Sequence, residues 1–311
     1  MDATVRRDRP AGASPGAGPG EARLGPATWR DFVELTKPGI TRLVLLTTGV
    51  GYYLAVRGAP DLAGLVHTLV GAGLVASGTN ALNQYLERDV DARMLRTRAR
   101  PLPSGRMRPR EALVFASSIS VVGLLYLLVL VGALPALLVG LSLASYAFVY
   151  TPLKRRTSLS TMAGAVPGAL PILAGWVAGG GDLGPAGWAL FAILFLWQFP
   201  HVLALGWLHR EDYARGRLRM LSVEDPDGRA TALQAVNYGV VLVPVSLLPS
   251  LLGVTGGTYL AGALVLGLTF LATGGLLLVR CTRAGARRLF FASVVYLPAL
   301  LGLMVLDKIP R

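Results

Sequence analysis

Nine apolar runs, separated by short polar gaps, divide the chain: Gly39–Val56, Leu62–Leu82, Ala112–Val131, Leu134–Tyr150, Thr161–Val177, Pro185–Leu205, Ala230–Leu251, Thr258–Val279 and Leu289–Val305. Each is long enough to cross about 30 Å of hydrocarbon as a helix with some tilt. The pattern therefore predicts an all-α, polytopic membrane protein with about nine transmembrane helices. Glycine and other small residues are frequent in the runs, as close helix packing in lipid requires. Ahead of the first run, Trp29–Lys37 reads as a short interfacial helix with Trp29, Phe32 and Leu35 at headgroup level. Residues 1–27 are rich in Gly, Pro, Ala and Arg without periodicity, which predicts a disordered cytoplasmic tail before a membrane domain spanning 28–311. No apolar core follows the basic N-terminal residues within signal-peptide range.

Charge fixes the expected topology. Of the 30 Lys and Arg residues, 27 fall in the tail and the alternate loops that share its side, and Arg57, Lys308 and Arg311 are the other three. Basic residues concentrate on the cytoplasmic side, so the reading is a multi-pass protein of the cell inner membrane, N-terminus inside and C-terminus outside, with membrane lipids around it. The formal charge of +13 does not signal nucleic acid, because the basic residues occupy short gaps between apolar runs. A hydrophobic fraction of 53% and mean hydropathy of +0.55 agree. The lone cysteine, Cys281, rules out an intramolecular disulfide and a CxxC metal or redox motif.

The densest chemistry lies in Asn83–Gly105, NQYLERDVDARMLRTRARPLPSG. Asn83, Glu87 and Asp91 recur every four residues, which places an amide and two carboxylates on one helix face. Oxygen ligands in that arrangement suit Mg²⁺, which takes one or two carboxylates and completes its shell with phosphate oxygens. The following arginines suit the phosphate itself. Charge this dense against membrane-length apolar segments suggests a metal-assisted diphosphate site at the membrane surface; a solvated loop that only sets topology is the competing reading. A second acidic, arginine-rich loop follows the sixth run and holds Glu211 and Asp212, candidates for a second metal site.

NQYLERDVD followed by RTRARPLPSG resembles the first aspartate-rich motif of the UbiA family of intramembrane prenyltransferases. Asn83, Glu87 and Asp91 fall on its Asn and two later Asp positions, and Arg96, Thr97, Arg100 and Pro101 on its tail. Two departures stand out: Gln84 replaces an acid, and Glu87 replaces Asp. Three further segments, Tyr150–Trp176, Trp197–Trp207 and Arg210–Leu221, are similar to the protoheme IX farnesyltransferase branch of that family. The resemblance implies helices around a central cavity, Mg²⁺ as cofactor, and farnesyl diphosphate and heme B as substrates, with heme A synthase as a downstream partner. The implied reaction joins the farnesyl group to a vinyl group of heme B and gives heme O. Another aromatic acceptor, such as a quinone precursor, or a non-catalytic heme- or lipid-handling role are the alternatives.

On that basis Asn83, Glu87, Asp91, Arg96, Arg100, Lys154 and Arg155 are expected around the diphosphate, the last two just past a helix end. His201, Gln198 and Tyr150 are expected at the heme, with His201 within a span behind Pro200. An allylic cation needs a dry pocket with aromatic faces, for which Tyr85, Tyr146, Tyr150, Trp176 and Trp197 are candidates.

Overall fold

The computed structural model describes residues 27–59 and 61–310; the expected tail, up to residue 26, lies outside the described residues. Thirteen α-helices follow one another: α1 Trp29–Leu35, α2 Pro38–Ala55, α3 Leu62–Asp91, α4 Pro109–Leu130, α5 Ala133–Ala144, α6 Thr151–Leu153, α7 Ser160–Ala178, α8 Pro185–Leu208, α9 Arg210–Arg215, α10 Leu221–Glu224, α11 Arg229–Leu251, α12 Gly257–Arg280 and α13 Arg283–Leu306. A π-helical segment, Ser145–Tyr150, joins α5 to α6, so that 133–153 forms one continuous span. No strand occurs among the described residues; Thr255 and Lys308 form an isolated bridge.

Among the described residues eight helices are long and apolar enough to cross a membrane. The expected first span, Gly39–Val56, is helical as α2 but is not one of the eight. Its 18 residues include Arg42, five threonine or tyrosine hydroxyls and three glycines, and seven of its residues are buried against the bundle. The second span outruns its apolar run by nine residues: α3 continues from Leu82 to Asp91, so the expected polar face is a true helix face.

The helices α7 and α8 are the most enclosed of the spans. Leu170, Ile172, Leu173, Leu190 and Ile193 are buried there, together with Leu297, Leu300 and Leu301 of α13. By contrast α4 turns Val114, Val121, Val122 and Leu125 outward, as a lipid-facing helix should.

Close approach of backbones sets the position of α2. A Cβ added to Gly51 would collide with the Ile172 carbonyl oxygen of α7, and one on Gly175 of α7 with the Thr48 carbonyl oxygen of α2. Small residues are what allow this approach in lipid. Gly51→Ala should therefore cut the yield of folded, detergent-extractable protein several-fold, measured by size-exclusion of a fluorescent fusion. Gly39→Ala, whose Cβ would meet nothing within 4 Å, is the matched control. Equal yields would show that α2 and α7 are free to separate.

Prolines in α7 expose a carbonyl that the fold then satisfies. Pro171 has no N–H to give the Pro167 carbonyl, and the Ser142 hydroxyl donates to it instead at 2.7 Å. The α1 helix differs from expectation. Trp29 is exposed, but Leu35 is fully buried against Ala81, Leu102 and Met107, and Phe32 meets Phe115 edge-on at 5.0 Å. The helix is thus clamped onto the protein, where Phe32 and Leu35 find protein and not headgroups.

Candidate active site

The polar end of α3 supplies the anions. Asn83, Glu87 and Asp91 are all buried, and the Asn83 amide donates to Glu87 Oε2 at 2.9 Å and to Thr151 Oγ1 at 3.3 Å. Each member of the row meets one cation: Lys37 Nζ donates to Asn83 Oδ1 at 2.6 Å, Lys154 Nζ to Glu87 Oε1 at 2.7 Å, and Arg100 Nη1 to Asp91 Oδ2 at 2.7 Å. Two carboxylates thus face three cationic side chains.

Three different stretches deliver those cations. Arg100 returns to Asp91 because the chain after α3 coils into successive turns, pinned by the Thr97 hydroxyl donating to the Asp91 carbonyl at 3.0 Å. Lys154 follows the π segment and α6, and lies over the Tyr150 ring at 4.3 Å. Lys37 sits between α1 and α2 in the left-handed region, φ +47°, an unusual conformation for a lysine. Three contacts hold it there: Gln84 Nε2 donates to the Glu34 and Leu35 carbonyls, Asn80 Nδ2 donates to the Thr36 carbonyl, and Arg106 pairs with Asp31 and Glu34.

The two lysines titrate in opposite directions. Burial pushes Lys37 down to about 7, with the neighbouring Arg100 charge adding to the effect. Burial also opposes the charge on Lys154, but the Tyr150 ring and the Glu87 carboxylate outweigh it and hold Lys154 well above an ordinary lysine. The difference lies in the partner: a carboxylate for Lys154, a neutral amide for Lys37.

Not every expected residue joins this cluster. Arg96 contributes its backbone N–H to Asp212 Oδ2 at 3.2 Å, and its side chain is exposed. Arg155 is exposed at the turn after α6. Asp89 points outward, with only a 3.8 Å approach to Arg88. Asp212 is buried and fully engaged, accepting from Leu95 N at 3.0 Å, from Arg96 N, and from Arg215 at 2.7 Å. Glu211 is exposed, 3.8 Å from Arg215. Asp212 thus fastens the loop after Asp91, and no contact joins it or Glu211 to the α3 row.

No group of three His, Cys, Asp or Glu side chains able to hold a metal occurs among the described residues. Asn83, Glu87 and Asp91 nevertheless fit Mg²⁺, as hard oxygen donors on one buried face, and each engages a cationic side chain. The remaining ligands would come from a phosphate.

An apolar cavity of about 260 Å³ opens beside this row, lined by Ile40, Val44, Tyr146, Tyr150, Trp197 and Gln198 among others. A smaller extension of about 100 Å³ shares Ile40, Val44, Tyr146 and Gly168 and reaches toward Val139 and Pro171. Tyr150 and Gln198 both line this cavity, and Gln198 Nε2 is tied to the Ala165 and Leu194 carbonyls at 3.1 and 3.0 Å. His201 does not line this cavity. Its ring stacks on Trp197 at 4.9 Å, lies 5.0 Å from Phe290, and Nδ1 bonds the Ser293 hydroxyl at 2.8 Å, which places it in the α8–α13 seam. Of the other aromatic candidates, Trp176 is buried with its indole N–H on the Asp182 carbonyl, and Tyr85 lies under Arg88.

A family model for the UbiA prenyltransferase family matches residues 44–295. The chain belongs to the UbiA prenyltransferase family. Among family relatives, a protoheme IX farnesyltransferase of Solibacter usitatus (strain Ellin6076) is 50% identical over 288 residues, covering 90% of this chain and 99% of the relative. A protein of the same name from Salinibacter ruber (strain DSM 13855 / M31) is 43% identical, covering 89% and 98%. A solved digeranylgeranylglyceryl phosphate synthase shares the UbiA fold with TM-score 0.75 at 18% identity, covering 89% of this chain and 97% of its own. A UbiA homolog from Archaeoglobus fulgidus, solved with GPP and Mg²⁺ bound, gives TM-score 0.64 at 15% identity, covering 88% and 99%.

Lys37 is the site residue that sequence reasoning missed. It reads as one more basic residue at a membrane boundary, and nothing local reveals that its partner lies 46 positions away.

Proposed function

We propose that this intramembrane prenyltransferase moves a farnesyl group from farnesyl diphosphate to a vinyl group of heme B, releasing diphosphate and giving heme O. The observation that carries the reading is end-to-end similarity, up to 50% identity, to relatives named protoheme IX farnesyltransferase. The buried row of carboxylates and cations supports it, since Lys154 of that row lies over the ring of Tyr150, which lines the apolar cavity.

The chemistry follows from what converges there. The farnesyl C1–O bond breaks and its electron pair leaves on the diphosphate. Lys37, Lys154 and Arg100 are placed to receive that negative charge, and preorganised cations in a buried site are effective because they need no reorganisation. A Mg²⁺ held by Asn83, Glu87 and Asp91 would supply further Lewis-acid stabilisation of the leaving group. The isoprenoid tail runs into the cavity and its extension, where Tyr146, Tyr150 and Trp197 present aromatic faces to the allylic cation. The terminal vinyl carbon of heme attacks C1 and forms the new C–C bond. The resulting side-chain cation takes hydroxide from water, and a proton goes to solvent. Water must stay out until that bond exists, and the apolar lining serves this.

The preponderance of basic residues at the diphosphate end supports placing that end at the cytoplasmic face of the cell inner membrane. Heme O would pass from there to heme A synthase. Expression in a host that makes no heme O, followed by mass analysis of extracted pigment, tests the reaction. Heme B heavier by one farnesyl group and one hydroxyl group is expected; unmodified heme B alone, with the protein present in the membrane, would end the assignment.

Asp212 supports the site indirectly. Asp212→Asn leaves one acceptor oxygen for the donors now shared by two, and puts an NH₂ among donors. Burial opposes the Asp212 charge, but the Leu95 N–H and Arg215 outweigh it and hold the carboxyl below its usual value, so it is ionised at neutral pH. The variant should lower kcat/KM for farnesyl diphosphate about tenfold, in line with roughly 1.4 kcal/mol of lost positioning. An unchanged kcat/KM would mean the loop after Asp91 holds its shape without this carboxylate.

A further inference from the structure

A second polar cavity, of about 390 Å³, lies where α8, α12 and α13 meet, and the diphosphate chemistry does not use it. Trp207, His209, Arg210, Cys281 and Arg283 line it, with Leu95 and Asp212 on one wall. Asp212 also holds the loop that follows Asp91, so this cavity opens at the same end of the bundle as the carboxylate row.

Its charges are unequal in kind. Arg215 is committed to Asp212 and Glu211. Arg210 and Arg283 take part in none of the ion pairs among the described residues. Both are nonetheless placed by the backbone. Arg210 lies over the Trp207 ring at 4.4 Å, and its Nη1 donates to the Pro226 carbonyl at 3.3 Å. Arg283 opens α13 after a sharp turn: Cys281 closes α12 at φ +42°, and the Thr282 hydroxyl caps α13 by accepting Gly285 N at 3.1 Å. Two guanidinium groups without counter-ions, on the walls of one cavity, suit paired carboxylates.

Geometry along α8 supplies the second observation. Trp197 lines the inner cavity and Trp207 the outer one, ten residues apart on one helix, roughly 15 Å of axial rise. A porphyrin carries its two propionates on one half of the ring and its vinyl groups on the other. The vinyl edge must reach the allylic C1 in the inner cavity, so the propionates must point outward along α8.

We propose that the α8–α12–α13 cavity binds the propionate carboxylates of the acceptor, with Arg210 and Arg283 as their partners. The inference rests on heme being the acceptor. It makes the propionates an orientation device: held at one end, the macrocycle presents a vinyl group, and not a propionate edge, to the farnesyl donor.

The test compares hemin with hemin dimethyl ester, titrated into the purified full-length protein, with farnesyl transfer measured in parallel. Wild type should bind hemin about tenfold more tightly than the diester. In Arg210→Gln/Arg283→Gln that preference should fall to near one while diester affinity stays unchanged, which also reports that the variant is folded. If the double variant does not fold, Arg283→Gln alone should lose part of the preference. A preference that survives the substitutions with transfer intact overturns the cavity and leaves the reaction standing. Displacement of hemin from wild type by short-chain phosphatidylglycerol identifies a lipid-headgroup site and overturns the propionate assignment. Wild type that shows the preference but no transfer overturns the reaction while the cavity keeps its carboxylate selectivity.

Discussion

Asp91→Asn should reduce farnesyl transfer about a hundred- to a thousandfold while leaving the protein folded in the membrane. Asp91 is 1% exposed and engages Arg100 at 2.7 Å. The amide is nearly the same size, so packing at the end of α3 is preserved. What is lost is one of only two carboxylates on the buried row and the charge that holds Arg100 over it. Without a metal the variant leaves Arg100 unpaired beside Lys37 and Lys154, which raises the positive charge of the site. The expected signature is therefore a divided one: weaker dependence of activity on added Mg²⁺, together with retained affinity for inorganic diphosphate in the absence of Mg²⁺. Wild-type turnover by this variant, or full wild-type turnover in excess EDTA, would remove the metal role from the α3 face. Loss of diphosphate affinity without Mg²⁺ would instead give Asp91 the simpler task of positioning Arg100.

Lys37→Met should do two opposite things. It should lower affinity for a farnesyl thiodiphosphate analogue by at least about tenfold, the scale of one charge-assisted hydrogen bond to a phosphate oxygen. It should also raise the melting temperature of the ligand-free protein by a few degrees at pH 7. The second effect follows from the sign of the titration. An unfolded lysine stays protonated to about pH 10.4, whereas Lys37 in the fold is pushed down to about 7. Between those values the unfolded chain binds more protons, so the folded state gains stability as pH rises from 7 toward 10. Removing the lysine removes that slope. Thermal melts across this range, with and without the analogue, check it: the advantage of the variant should shrink toward pH 10 and vanish when the analogue is bound to wild type. A variant less stable than wild type at pH 7 would mean that Lys37 holds α1 and α2 together and is not a cation kept at a cost for its ligand.

Much of the fold was legible because lipid allows few solutions. A backbone in hydrocarbon must satisfy itself, so apolar run length reports helix length almost directly. Where the run and the helix part company, the reason is chemical. The second run ends at Leu82 by hydropathy, but α3 continues to Asp91 because its last turns are buried among protein cations, not exposed to lipid. Conversely α2 is helical with weak hydropathy because Gly51 and the Thr48 backbone lie directly against the α7 backbone. The site was legible where the four-residue spacing states it, in Asn83, Glu87 and Asp91. Its counter-charges were only partly so: Lys154 and Arg100 arrived through family resemblance, and Lys37 through neither route. Asp212 and Glu211 show the limit of reading composition, since an acidic pair in an arginine-rich loop can hold a loop as easily as a metal. Gln84, a departure from the family motif, finds its reason only in space. Its amide grips the Glu34 and Leu35 carbonyls, a job an acid cannot do.

The π segment between α5 and α6 acts as a phase setter. A π turn is an α-helix carrying one residue too many, and each residue in an α-helix advances the screw by about 100°. Deleting any one residue within Ser145–Tyr150 would relax the segment to regular α-helix and lose nothing in length that lipid would notice. Keeping every residue while the segment relaxed to regular α-helix would instead swing everything beyond it by more than a quarter-turn, taking Lys154 off Glu87 and one of the two cavity tyrosines out of line. The span therefore depends on the wide turn itself: exchanges that abolish it at constant length should cost more than loss of the one residue it absorbs.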